Sequence, residues 1–153
     1  MKEKLDTIDR KILNILQIDG TFSVDRLSER VNLSRNACWR RVKQMEESGI
    51  LKGRVALVDA EKIGLPLLVY VMVRTNDHTQ RWLEKFRSAV SQMPEITSAH
   101  RMSGDLDYVL RVRVADVKAY DKFYQRLIAK VPIADVSASF VMEDIKDTTV
   151  LVV

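Results

Sequence analysis

Several residue types that carry protein chemistry are scarce in this chain of 153 residues, which has one cysteine, two histidines, three prolines and five glycines. A single cysteine cannot form an intramolecular disulfide or a cysteine-based zinc site, so we expect a reducing compartment, the cytoplasm. No apolar run approaches the roughly 18 residues that cross a membrane, and the charged N-terminus lacks the apolar core of a signal peptide. A hydrophobic fraction of 46% excludes a disordered chain, and we expect one or two folded domains.

Excess charge is also low overall, with a net charge of +4 and an isoelectric point near 9.3. The excess is nevertheless concentrated in one stretch. The segment from Ser34 to Arg54 holds six basic residues (Arg35, Arg40, Arg41, Lys43, Lys52 and Arg54) and two acidic ones (Glu46 and Glu47). A local excess of cations of this kind favours contact with a polyanion.

The first half of the chain predicts three short helices. Apolar residues recur at helical spacing over residues 6–19, and Asp6 can accept the first free backbone N–H groups. A second helix is predicted over "SVDRLSERV", with Ser23 as its N-cap, and a third from Ser34 to Gly49. The last two helices are joined by about three residues, which is typical of a helix-turn-helix. The following "ILKGRVALVD" is predicted to form a small wing or a connecting strand.

The third helix has two different faces. Cys38, Val42 and Met45 share one side and are predicted to be buried. The other side collects the residues that we expect to bind DNA, together with the N-cap: Ser34, Arg35, Asn36, Trp39, Arg40 and Lys43. Arginine and asparagine have the forked geometry that recognises guanine and adenine edges in the major groove. The alternatives are a solvated cationic face, and for Cys38 a reactive thiol or metal ligand; the role of Trp39 stays open.

The second half alternates short strands and amphipathic helices. Strands are predicted at residues 67–74, 96–102, 108–114 and 136–142, with helices at 79–93 and 116–130 between them. The order βαββαβ is that of the ferredoxin-like unit, and "TTVLVV" predicts an extra strand over residues 148–153.

Three segments resemble the Lrp/AsnC family (leucine-responsive regulatory protein/asparagine regulator): "LDTIDRKILNILQIDG", "LSERVNLSRNACWRRVKQMEESGI" and "GDLDYVLRV". Taken in this order and spacing, the three segments extend over nearly the whole chain. The resemblance implies an α+β protein, with a winged helix-turn-helix at 1–52, a connecting strand and linker at 53–65, and a ferredoxin-like effector and oligomerisation domain at 66–153. It further implies a cytoplasmic, nucleoid-associated regulator of amino-acid metabolism that binds double-stranded DNA and assembles from homodimers to octamers. The ending "TTVLVV" departs from the proline-containing tail of many relatives.

The loop "SGDLDY" has the residue types that a free amino acid requires. Gly104 allows close approach of the backbone, and Asp105 and Asp107 could accept an ammonium group. The resemblance places a small amino-acid effector, such as leucine, near this loop and implicates the strand matching "SFVMED". The candidate effector residues are therefore Ser103, Gly104, Asp105, Leu106, Asp107, Tyr108, Phe140, Val141 and Met142. The alternative is that the loop is only a hairpin turn, because Gly and Asp dominate turns.

An enzyme is not expected, since the sequence shows no phosphate-binding loop, nucleophile motif or cluster with metal-ligand spacing. We expect no cofactor or metal apart from the amino-acid effector. A ligand-independent architectural DNA-binding protein is the alternative function.

Overall fold

The computed structural model describes residues 5–153, which form two compact units. The first comprises the chain up to Leu57 together with Lys146–Val153, and the second comprises Val58–Ile145.

The first unit contains the three predicted helices: α1 (Thr7–Ile18), α2 (Val24–Val31) and α3 (Arg35–Glu47). Each begins at a capping side chain, because Asp6, Ser23 and Ser34 accept backbone N–H groups of the first turns. The tight turn between α2 and α3 passes through Asn32, which adopts the left-handed conformation with φ 54°. The helix-turn-helix prediction is confirmed.

The predicted wing is absent from the described residues of this unit, which contain no strand. Residues 52–59 have no regular secondary structure, and the side chains of Val55 and Leu57 are 83% and 78% exposed. The alternating pattern was misleading because a strand requires a pairing partner, and none of the described residues pairs with this segment.

The predicted strand over residues 148–153 is also wrong, since this segment joins no sheet. It packs on the helix-turn-helix unit, where Val153 contacts the hydrophobic core. The Gln17 side chain donates Nε2–H to the Leu151 carbonyl at 3.1 Å and accepts the Leu151 N–H at 2.7 Å. By its contacts the C-terminal segment lies in the first unit, whereas the predicted boundaries group it with residues 66–153.

The second unit has the predicted βαββαβ order: β1 (Leu67–Arg74), α4 (Gln80–Ser91), β2 (Ile96–Arg101), β3 (Tyr108–Val114), α5 (Val117–Lys130) and β4 (Asp135–Phe140). The strands form one antiparallel sheet in the order β2-β3-β1-β4. This is the ferredoxin-like arrangement, in which both helices cover one face of the sheet.

The two faces of the sheet differ in burial. Alternate residues of β1 and β3, such as Val71 and Leu110, are fully buried against α4 and α5 with Phe123. The other face carries the exposed Tyr70, and it carries Met72 directly opposite Val109. One face thus forms the core. The other face is covered in part, since Leu68 is buried and the Arg113 side chain, beside the Pro66 carbonyl and Asp144, is 16% exposed.

Candidate functional site

One face of α3 attaches the helix to its own domain. Cys38, Val42 and Met45 are buried among residues of α1 and α2, as their spacing predicts. Burial raises the pKa of the Cys38 thiol, because desolvation disfavours the thiolate. A buried thiol held in its neutral form is a packing residue and not a nucleophile.

The opposite face of α3 is open to solvent. All six predicted DNA-binding residues are exposed, namely Ser34, Arg35, Asn36, Trp39, Arg40 and Lys43. The large indole of Trp39 is 52% exposed although it lies on a folded helix. The structure therefore brings the predicted set together on one surface, next to the N-terminus of the helix and its positive dipole.

Within this surface, the Ser34 hydroxyl accepts the Ala37 N–H as the N-cap, and three further side chains have partners. The Arg35 Nε lies 2.8 Å from a carboxylate oxygen of Asp25 on α2. The Lys43 ammonium lies 4.9 Å from the centroid of the Trp39 ring and 3.7 Å from Glu47. The indole thus holds a cation over its face, which fixes both side chains on the exposed surface.

Asn36 and Arg40 are different, since neither makes a side-chain hydrogen bond or an ion pair with any residue between 5 and 153. A guanidinium and an amide without protein partners are free to bind phosphates or base edges. The sequence pattern had selected these two residues correctly as members of the exposed face.

Arg41 has a structural role that the sequence did not reveal. Its Nη1 donates to Asp6 Oδ2 and to Asp9 Oδ1, each at 2.7 Å, and its side chain is only 29% exposed. The N–H of Asp9 and the Arg41 guanidinium hold the pKa of Asp6 below its usual value, and the two carboxylates raise the pKa of Arg41. This arginine therefore joins α3 to the start of α1, whereas the neighbouring Arg40 points to solvent.

The predicted effector loop joins β2 to β3. Ser103, Gly104 and Asp105 are exposed, whereas Leu106 is partly buried. Gly104 has a backbone φ of 109°, a conformation that residues other than glycine rarely adopt. The loop is closed where the Met102 N–H donates to the Asp107 carbonyl at 2.8 Å.

Asp105 and Asp107 occupy different environments. Asp107 Oδ2 accepts the Thr75 N–H at 2.8 Å, and its other oxygen lies 4.0 Å from His78. The Asp105 carboxylate has no hydrogen bond or ion pair with the described residues, so it is free to accept a ligand. Tyr108 is buried on the helix-covered face, with its ring 4.5 Å from that of Phe86.

The other predicted effector residues lie at the opposite end of the sheet. Phe140 is paired with Val69 of β1, whereas Tyr108 is paired with Val73, four residues further along the same strand. That offset corresponds to about 13 Å along the strand. The Val141 N–H donates to the Leu68 carbonyl, and Met142 is 95% exposed. A single chain therefore does not bring the two halves of the predicted effector set together.

Residues 5–153 contain neither a metal-binding cluster nor a membrane-spanning helix. No group of three or more His, Cys, Asp or Glu side chains there could hold a metal ion. None of the helices in that part of the chain has the length and apolar character needed to span a bilayer.

Two family models match the chain. The AsnC-type helix-turn-helix domain matches residues 5–46, and the Lrp/AsnC ligand binding domain matches residues 68–151. The second match alone covers more than half of the sequence and includes the sheet of the second unit except Leu67.

Similar proteins have been described in several bacteria. The DNA-binding transcriptional activator DecR of Escherichia coli (strain K12) is 51% identical over 148 residues, which is 96% of this chain and 97% of that protein. The crystal structure of an AsnC family transcriptional regulator from Agrobacterium tumefaciens has a TM-score of 0.92 and 51% identity, and covers 96% of both chains. A transcriptional regulator from Neisseria meningitidis, crystallised with L-methionine, has a TM-score of 0.92 and 36% identity, over 97% of this chain and 96% of that one.

The helix-turn-helix unit, the ferredoxin-like unit that follows it, and these similarities along nearly the full length lead to one conclusion: the chain belongs to the Lrp/AsnC family of transcription regulators.

Proposed function

We propose that the exposed face of α3 binds the major groove of double-stranded DNA and that a small amino acid modulates this binding through the second unit. The observation that carries the proposal is the division of α3 into a buried face with Cys38 and an exposed cationic face with Arg40. A helix with that division can keep its packing while its outer face enters a groove.

Roles within the DNA-binding surface follow from the contacts. Asn36 and Arg40 have no partner among the described residues and are the candidates for base edges. Lys43, held against the Trp39 ring, contributes a charge for a phosphate. Arg35 becomes available only when it leaves Asp25, which costs little because the pair is exposed.

The effector is an amino acid bound at the β2–β3 loop. Asp105 accepts the ammonium group, and the backbone around Gly104 approaches the ligand. Asp107 has a supporting role, because its carboxylate holds the backbone of Thr75. The L-methionine complex of the Neisseria relative supports an amino acid as ligand.

A second copy of the chain completes this site. Since the loop and Phe140–Met142 lie at opposite ends of one sheet, both sets can contact one small ligand only if they come from two chains. The exposed part of the other sheet face, with Tyr70 and Met72, provides a partly apolar surface for a second copy. Each homodimer, alone or within the octamer built from four of them, presents two α3 helices to half-sites about one helical turn apart.

The protein acts without catalysing a reaction, and it acts on the DNA of the cytoplasmic nucleoid. The family to which the chain belongs consists of transcription regulators, which supports both statements.

A panel of the twenty amino acids tests the effector part. Thermal shift and sedimentation are measured for the full-length wild type and for Asp105→Asn, with Asp121→Asn on the exposed side of α5 as the matched control. We expect at least one amino acid to raise the melting temperature of the wild type and of the control, but to have little effect on Asp105→Asn. If no amino acid changes melting temperature, oligomer size or DNA affinity, the protein is an architectural DNA-binding protein instead.

A further inference from the structure

A cavity in the ferredoxin-like unit lies between α4 and β2 and has a volume of about 310 Å³. Its apolar lining comes from Leu83, Phe86 and Val90 of α4 and from Ala99 of β2. Small-molecule sites generally combine an apolar lining of this kind with a few polar groups.

The polar residues that line this cavity are two arginines together with Ser91, His100 and Tyr108. Arg87 of α4 and Arg101 of β2 both line it, and the side chain of neither makes a hydrogen bond or an ion pair with residues 5–153. No Asp or Glu is among the lining residues. Two guanidinium groups beside an apolar lining match a ligand that carries one carboxylate and an apolar body, because guanidinium binds carboxylate through paired N–H donors.

The absence of an acidic lining residue distinguishes this cavity from the β2–β3 loop. An amino acid would bring its ammonium group next to two arginines without a carboxylate partner, which is unfavourable. The cavity shares Tyr108 with the loop, but it contains neither Asp105 nor Asp107. The buried Tyr108 ring has a hydroxyl with no hydrogen-bond partner in the described part of the chain, so it can donate to a carboxylate.

We propose that the α4–β2 cavity binds small carboxylic acids with an apolar body and no ammonium group, the chemistry of α-keto acids with aliphatic or aromatic side chains. Arg87 and Arg101 bind the carboxylate, and the side chains of Leu83 and Phe86 contact the apolar body. The protein thereby has a second ligand site, which shares Tyr108 with the amino-acid site at the β2–β3 loop but contains neither Asp105 nor Asp107.

Isothermal titration of the full-length protein tests this proposal with α-ketoisocaproate and phenylpyruvate as probes. L-leucine and L-phenylalanine are their ammonium-bearing counterparts, and acetate is the carboxylate without an apolar body. Arg87→Met and Arg101→Met should each weaken α-keto acid binding about tenfold or more, because a charge-assisted hydrogen bond is lost while the length of the side chain is kept. Ala99→Leu should block the cavity and remove binding without changing a charge.

Arg81→Met is the matched control, since Arg81 is an exposed arginine of α4 that does not line the cavity. The affinity of this variant for the α-keto acids should equal that of the wild type. The proposal is overturned if neither α-keto acid binds, if acetate binds as tightly, or if all four variants bind alike. It is also overturned if Arg87→Met and Arg101→Met change the sedimentation coefficient but not ligand affinity, since the cavity would then contact another copy of the chain. The Asp105→Asn response to amino acids is measured separately, so a failure here leaves the loop site untouched.

Discussion

Gln17 and Leu151 are 134 residues apart in the sequence, yet the side-chain amide of Gln17 makes two hydrogen bonds with the backbone of Leu151. A primary amide can pair with the backbone of one residue in this way because its NH2 group donates to the residue's C=O while its oxygen accepts the residue's N–H. The contact fixes the C-terminal segment on α1, next to the point where Val153 meets the hydrophobic core.

Gln17→Ala should therefore destabilise the helix-turn-helix unit. The two hydrogen bonds are exposed to solvent, so we expect a loss of about 1 kcal/mol and a melting temperature roughly 4 °C lower. Gln80→Ala is the control, because Gln80 bonds only to Glu84 one turn away on the surface of α4. An equal shift in both variants, measured by calorimetry, would show that the C-terminal segment contributes nothing.

Arg40 and Arg41 are neighbours, but the same substitution should lower the stability of the protein at Arg41 and leave it nearly unchanged at Arg40. Arg41→Met removes two charge-assisted hydrogen bonds and leaves Asp6 and Asp9 without their shared partner, so we expect a melting temperature roughly 5 °C lower. Arg40→Met removes an exposed side chain without partners among the described residues, and stability should stay within about 0.5 kcal/mol of the wild type. Urea unfolding followed by circular dichroism distinguishes the two outcomes, and similar losses in both variants would contradict the assignment of Arg41.

The Asp6 carboxylate should make the stability of the helix-turn-helix unit sensitive to acid. Its folded-state pKa is lowered by the Asp9 N–H and by Arg41, so its contribution is complete near neutral pH and disappears as the pH falls below about 4. Asp6→Asn keeps an acceptor for the N-cap but removes the charge. The stability difference between wild type and Asp6→Asn should thus shrink between pH 7 and pH 3, and a constant difference in urea titrations would contradict the ion pair.

Cys38 should be protected from thiol reagents as long as the protein is folded. Its side chain is buried, and burial raises the pKa of the thiol, so both access and thiolate formation are unfavourable. We expect iodoacetamide at pH 8 to modify the native protein at least about a hundredfold more slowly than the urea-unfolded protein, as followed by mass spectrometry. Comparable rates would mean that Cys38 is reachable and that its assignment to the core is wrong.

The sequence predicted the parts of the fold that depend on local signals. Capping residues and helical spacing located α1 and α3 to within one or two residues, since Asp6 and Ser34 lie where each helix begins. The βαββαβ order was also predicted, because every strand of the sheet finds its partner within the same unit. The exposed face of α3 was also predicted residue by residue, because residues recur on one face of a helix at a regular spacing.

Features that depend on long-range contacts were not predictable. The alternating segment around Val55 and the segment ending at Val153 both have strand-like composition, but neither has a sheet to join in the described chain. The ion pairs of Arg41 could not be predicted from the sequence, because they depend on two carboxylates more than 30 residues earlier. Asp107 was similarly equivalent to Asp105 until Thr75 was seen beside it.

The most direct test of the account is the salt dependence of DNA binding. A duplex enriched by the wild-type protein from a random-sequence library is titrated by fluorescence anisotropy at several salt concentrations with wild type, Arg40→Met, Lys43→Met and, as the control, Arg81→Met. Each phosphate contact contributes about 0.9 to the slope of log K against log salt, so loss of the Lys43 contact should flatten the slope by about 1 per bound α3 helix. Arg40→Met should weaken the enriched duplex more than a scrambled one, as expected of a base contact. Affinities and slopes equal to those of the wild type in both variants would contradict the claim that this face of α3 binds DNA.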